Sequence, residues 1–110
     1  MAFSIIFHPR AKQEWRDVIE YYNIIKEGLG YQTFDEIYTY IQDLKTFPFI
    51  YPKRNGEARA CFTKRFHFGI HYFINEDLSE IWIIAIIHTK RDINTQMLLS
   101  RISDIRNRNN

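Results

Sequence analysis

From Ile81 to Ile87 every side chain is apolar, seven residues in succession with no wet face. Successive side chains of a strand point to opposite sides of the sheet, so a strand of this composition must be covered on both faces. A membrane-spanning helix is excluded, because that requires about 20 apolar residues. The run is therefore predicted to be the central strand of a layered domain, with its last polar neighbour, His88, at a sheet end. The chain has 110 residues, 45% hydrophobic and 25% charged. That suits one folded domain spanning 1–110 with enough apolar side chain to offset ordering entropy, and no repeat or interdomain linker interrupts it.

The layers that would cover this strand are visible upstream. Phe3 to Phe7 reads as a short strand that stops at His8 and Pro9, and the Pro suits the first turn of a helix. Apolar residues then recur at Ala11, Trp15, Val18, Tyr22 and Ile25, widened by Ile19, which is the stripe of a core-packed helix. Lys12, Glu14, Arg16, Asp17 and Glu20 form its outward face. Gly28 and Gly30 break the pattern, which resumes at Tyr31, Phe34, Ile37, Tyr38, Ile41 and Leu44 and ends before Pro48 and Pro52. Two helices so closely joined are expected to lie antiparallel.

After a loop over 47–56 the period falls from 3.6 to 2. Ala58, Ala60 and Phe62 alternate with Arg59, Cys61 and Thr63, and Phe68, Ile70, Tyr72 and Ile74 with His67, Gly69, His71 and Phe73. Both segments read as half-buried strands. Residues 94–110 read as a C-terminal helical extension, with Met97, Leu98, Ile102 and Ile105 at near-helical spacing and a frayed tail from Arg106. The fold class is α+β, in the order β-αα-βββ-α: an N-terminal strand, an antiparallel helical hairpin on a mainly antiparallel sheet of about four strands, and a short C-terminal helix.

Several chemistries are missing. No His-Glu-x-x-His and no cysteine pair occurs, so no metal site is expected. The four glycines are scattered, which excludes a phosphate-cradling loop, and no serine-hydrolase elbow is present. No cofactor is called for. The lone Cys61 reads as a buried thiol in a reducing compartment. The N-terminus has no basic leader, so the expected location is cytoplasmic, with no membrane partner.

Charge is distributed unevenly. Residues 1–50 carry five Lys/Arg against seven Asp/Glu, whereas residues 51–110 carry ten against six. Lys53, Arg54, Arg59, Lys64 and Arg65 form a dense basic stretch, suited either to phosphate or an acidic protein partner, or to a solvated strand edge protected from aggregation. A metal-free ribonuclease needs a base, an acid and cations around the phosphate. Arg59, Lys64, Arg65, His67, His71, His88 and Arg91 are the residues able to supply them. His67 and His71, four apart, fall on one strand face, as an acid/base pair or as two strand histidines without a catalytic role. His88 and Arg91 fall at a sheet end, with a strand cap and a salt bridge as their structural readings. The tyrosines Tyr21, Tyr22, Tyr38, Tyr40, Tyr51 and Tyr72 read as packing residues or base-stacking platforms.

Taken in order, these pieces resemble the RelE/ParE superfamily of type II toxin-antitoxin toxins over residues 3–93. They are the first strand with its Pro-initiated helix carrying Ala11, Trp15, Tyr21 and Tyr22, the second stripe from Phe34 to near Pro48, Tyr51 and Pro52, Arg59, the strand Phe66 to Tyr72, and the close Ile86 to Asp92. The resemblance implies a small toxin, also described as a plasmid stabilisation protein, neutralised by an antitoxin encoded beside it in a toxin-antitoxin hetero-oligomer. One branch of the superfamily, like RelE, cuts messenger RNA on the ribosome as an mRNA interferase. The other, like ParE, inhibits growth by poisoning DNA gyrase and is not a nuclease.

By resemblance, Arg59, Lys64 and Arg65 fall where the nuclease branch carries phosphate-binding cations, and Arg91 matches its arginine after the last strand. The nuclease pattern then places a tyrosine where this sequence has Met97, and its upstream lysines are reduced to Lys53 and Arg54. The ending His88, Arg91, Asp92 resembles the gyrase-directed branch. The expected target-binding set is thus Lys53, Arg54, Arg59, Lys64, Arg65 and Arg91. A nuclease would draw on Arg59, Lys64, Arg65, His88 and Arg91. A third alternative is an interaction protein that keeps the fold and has lost toxicity.

Overall fold

The computed structural model describes residues 3–108. Strand β1 (Ser4–Phe7) runs into helix α1 (Pro9–Ile25) and α2 (Leu29–Thr46). Four strands follow, β2 (Lys53–Asn55), β3 (Ala58–Phe62), β4 (Phe68–Asn75) and β5 (Glu80–His88), before α3 (Thr95–Arg108). The sheet has the order β1-β5-β4-β3-β2. β1 runs parallel to β5, and every other pair is antiparallel. β5 is thus internal, as its apolar run requires. The α+β class, the helical hairpin and the C-terminal helix agree with the sequence reading.

The entry into α1 uses local chemistry. Pro9 occupies the first turn, and His8 caps the helix by accepting the Arg10 N–H on Nδ1 (3.1 Å). Its other ring nitrogen then donates to Asp104 of α3 (3.2 Å). At the far end Gly28 adopts φ +85 to turn the chain. Gly30 allows the two helices to touch: a Cβ there would lie 2.1 Å from the Ile19 carbonyl oxygen. The Gly30 N–H is taken by Asn23 Oδ1 at 2.8 Å.

One core cluster fills the space between hairpin and sheet. Trp15 sits in its centre, stacked between Phe34 at 4.0 Å and Phe7 at 5.2 Å. A second cluster joins Leu98, Ile102 and Ile105 of α3 to Phe73, Trp82, Ile84 and Ile87 on the opposite sheet face. The C-terminal helix therefore packs against the sheet and not on the hairpin.

Four expectations need correction. The sheet has five strands, because three residues inside the stretch read as a loop form β2. Lys53, Arg54 and Asn55 have no apolar alternation, and only their pairing with β3 around the Gly56 turn makes them a strand. β3 and β4 are not half-buried, since α3 covers the face that His71 and Phe73 were expected to present to solvent. Ile25, Tyr31 and Tyr38 leave the buried stripe and are 59%, 62% and 49% exposed; the first two border the hairpin turn, beyond the reach of the sheet. Finally, α3 continues through Arg106 to Arg108, while the frayed end expected at Asn109 and Asn110 lies outside the described residues.

Glu14 also departs from its expected outward place. β5 carries an extra residue: His71 of β4 faces Ala85 and Tyr72 faces Ile83, so Ile84 has no partner in β4. Such a bulge disrupts the ladder locally, and β1, whose pairing ends at Phe7 with Ile83, leaves the backbone groups that follow on that edge of β5 needing partners. Arg101 of α3 donates to the Ile84 carbonyl (2.7 Å), and Glu14 of α1 accepts the Ile86 N–H (3.1 Å). The two side chains complete the arrangement with a paired contact of 2.9 and 3.0 Å. One ion pair, buried on its Arg101 side and half-buried at Glu14, therefore ties both helical layers to the irregular point of the central strand.

Candidate functional site

The turn between β3 and β4 meets the segment after β5 at one end of the sheet. Phe68 donates its N–H to Thr63 Oγ1 (2.8 Å) while its carbonyl accepts the Thr63 N–H (2.8 Å). His67, at φ +58, turns its carbonyl to the Thr89 N–H (2.8 Å). This backbone arrangement gathers Lys64, Arg65, His67, His88, Lys90 and Arg91 from two separate stretches of chain.

The members differ in freedom. Arg65 is held to α2, its N–H bonded to Glu36 (2.8 Å), its guanidinium to Gln32 (2.7 Å), with Phe66 4.8 Å beneath. Lys64, Lys90 and Arg91 are exposed and form no ion pair among the described residues. His88 packs edge-on to Phe68 at 5.2 Å and accepts the Lys90 N–H on Nδ1 (3.1 Å). The neutral ring therefore carries its proton on Nε2. Burial lowers its pKa, and the neighbouring Lys90 and His67 lower it further, so at neutral pH the ring is an uncharged donor among cations.

Beside this cationic end a groove of about 500 Å³ opens between α1 and the sheet. Its lining includes the aromatic residues Tyr21, Tyr22 and Phe68, the basic-side residues His88, Lys90 and Arg91, and the carboxylates Glu14 and Asp17. Cations and ring donors of this kind can bind phosphate or carboxylate groups. Among the described residues no group of three His, Cys, Asp or Glu is arranged to hold a metal ion, and no helix is long and apolar enough to cross a membrane.

The remaining sequence candidates lie elsewhere. Arg59 donates to the Tyr51 carbonyl (2.6 Å) and lies 5.3 Å from the Phe49 ring, so it braces the loop after α2. Lys53 is its exposed cross-strand neighbour. Arg54 lies over Phe62 at 5.0 Å. The six expected cations thus divide into Lys64, Arg65 and Arg91 at the sheet end and Lys53, Arg54 and Arg59 along the β2–β3 margin.

The expected pairing of His67 with His71 does not form. His67 turns out of strand register to an exposed position beside His88, while His71 is 1% exposed. Its Nδ1 has no partner, and burial, with Arg54 and Arg101 nearby, lowers its pKa to about 4 against an opposing pull from Glu14. Cys61 is buried with its thiol pushed up to about 12, which makes it a poor nucleophile at neutral pH. Lys90 and the tyrosine-lined groove were not foreseen as parts of one site. Alternation gives the phase of a strand, but it carries no signal for a left-handed residue such as His67 that breaks the phase.

The sequence matches a family model described as the ParE toxin of the type II toxin-antitoxin system, parDE, over residues 5–93. No curated protein sequence matches the chain. Among solved structures, a chain of the chromosomal ParDE TA system from P. aeruginosa superposes with TM-score 0.72 at 14% identity, covering 81% of this chain and 98% of that one. A double arginine-to-alanine mutant of E. coli toxin RelE in the free state gives TM-score 0.69 at 14% identity, covering 96% and 99%. The intact E. coli RelBE toxin-antitoxin complex gives 0.65 at 16%, covering 82% and 100%. At these identities the superpositions establish the fold, and the match over residues 5–93 establishes the lineage: this chain belongs to the ParE toxin family of type II toxin-antitoxin systems.

Proposed function

We propose that this chain acts as a ParE-like toxin on DNA gyrase and is held silent by a cognate antitoxin. The family match over residues 5–93 carries the reading. The chemistry is compatible with it: the sheet end offers exposed cations and a neutral imidazole, a set suited to gripping a target that has DNA bound. His71 and the one thiol, Cys61, are withdrawn from solvent, which favours inhibition by binding. Purified protein added to a gyrase supercoiling reaction should accumulate linear DNA. Unchanged supercoiling at micromolar protein would reject the reading.

A RelE-like ribosome-dependent endoribonuclease is the second reading, favoured by the superposition of free RelE on 96% of the chain. His88 beside Arg91 would then handle protons next to a bound phosphate. Its signature is metal-independent cleavage of ribosome-bound message, lost in Arg65→Ala or Arg91→Ala with the fold intact. Normal growth after induction without antitoxin would instead mark an interaction protein that has lost toxicity.

A further inference from the structure

The segment joining α2 to β2 departs from ordinary turn chemistry. Phe47 to Ile50 form a turn closed by the Ile50 N–H to the Phe47 carbonyl (3.3 Å). Pro48 suits the second position, but where turns usually carry Gly, Asn, Asp or Ser, this one carries Phe47, Phe49 and Ile50. These are 60%, 49% and 64% exposed. Three large apolar side chains in four residues thus face water.

The turn is held firmly from below. The buried Tyr72 donates its hydroxyl to the Pro48 carbonyl (2.9 Å), and Arg59 donates to the Tyr51 carbonyl (2.6 Å). Phe49 lies between the Arg59 guanidinium at 5.3 Å and the edge of Phe3 at 6.1 Å. An apolar display fixed in advance loses little entropy when a partner covers it. Its surroundings are basic. Lys45 in the last turn of α2 and Lys53 in β2 are both exposed, and no carboxylate occurs from Lys45 to Arg54. Asp43 approaches Tyr51 from α2.

The turn is also remote from the cationic sheet end. Phe49 touches Phe3, which precedes the pairing of Ser4 with Glu80, whereas His88 and Phe68 mark the opposite end of the same strands. A surface this far from the cations proposed to grip the target is free to receive a second partner. We propose that Phe47, Phe49 and Ile50 form a pre-ordered apolar anchor, flanked by Lys45 and Lys53, that docks an acidic and apolar segment of the antitoxin. This rests on the reading above that the chain has such a partner.

The test uses the full chain and the antitoxin encoded beside it, with binding measured by titration calorimetry at two salt concentrations. The double variant Phe47→Ser/Ile50→Ser removes exposed side chains, and its melting temperature reports whether the fold survives. Antitoxin affinity is expected to fall about 30-fold or more, as for anchors at an interface centre, with gyrase trapping unchanged. Lys45→Glu is expected to weaken binding about threefold at low salt and less at high salt. Affinity within about threefold of wild type for the double variant would overturn the proposal. Two other results would also overturn it: loss of gyrase trapping with affinity preserved assigns the turn to the target, and a dimer-to-monomer change with affinity preserved assigns it to a second copy. If the wild-type protein does not trap gyrase, the proposed function fails, yet antitoxin affinity still decides this point.

Discussion

His71 shows how one residue can look functional in sequence and act on stability in the structure. Its ring lies over Gly69, where even a Cβ would come within 2.9 Å of Nε2. The folded protein holds it neutral, with a pKa lowered from 6.5 to about 4. Between those values the unfolded chain binds a proton that the folded chain refuses, so stability falls as pH drops through that window and this contribution is constant below it. The loss amounts to about 3 kcal/mol at most. Urea midpoints at pH 7 and pH 4.5 should therefore differ less in His71→Leu than in wild type, and equal differences would rule the effect out. Cys61 was legible as a buried thiol because its strand neighbours are apolar. The site histidines were not, because the parity that joins His67 to His71 assumes strand geometry at a residue that sits at φ +58.

Among the elements, the helical hairpin and the central strand were readable from periodicity alone. β2 was not, since its pairing with β3 rather than its composition makes it a strand. The position of α3 was equally hidden: near-helical spacing predicts a stripe but not the face that receives it. The Glu14–Arg101 pair joins α1, β5 and α3, and no local pattern marks residues 87 positions apart as partners. Arg101 is the deeper member, with 6% of its side chain exposed against 23% for Glu14. Glu14→Leu leaves a buried guanidinium unpaired and should cost about 3–5 kcal/mol. Arg101→Met should cost less, because the abandoned carboxylate still reaches water. The double variant should recover part of the sum but not all, as the Ile84 carbonyl and Ile86 N–H lose their partners. Strictly additive costs in urea unfolding would show that the pair is not coupled.

At the scale of the whole molecule, a seven-residue apolar run demanded two covering layers, and the structure supplies the hairpin on one side and α3 on the other. The layers are attached differently. The hairpin is fixed by the stacked Phe7, Trp15 and Phe34 rings, while α3 rests on one apolar stripe, takes part in both Arg–Glu ion pairs among the described residues and accepts the His8 hydrogen bond on Asp104. Native-state hydrogen exchange should find β4 and β5 amides opening only with global unfolding, and α3 amides through a cheaper local opening. Equal protection in both would contradict this hierarchy. The distribution of cations over two regions was also beyond sequence reading, since it depends on which loops the sheet brings together.

The parallel register of Ser4 to Phe7 against Glu80 to Ile83 has a consequence for biosynthesis. β1 cannot find its neighbour until residues 80–83 have been translated. A product that stops short of that point lacks the partner for its own N-terminus. Translation therefore yields no complete sheet until β5 has emerged.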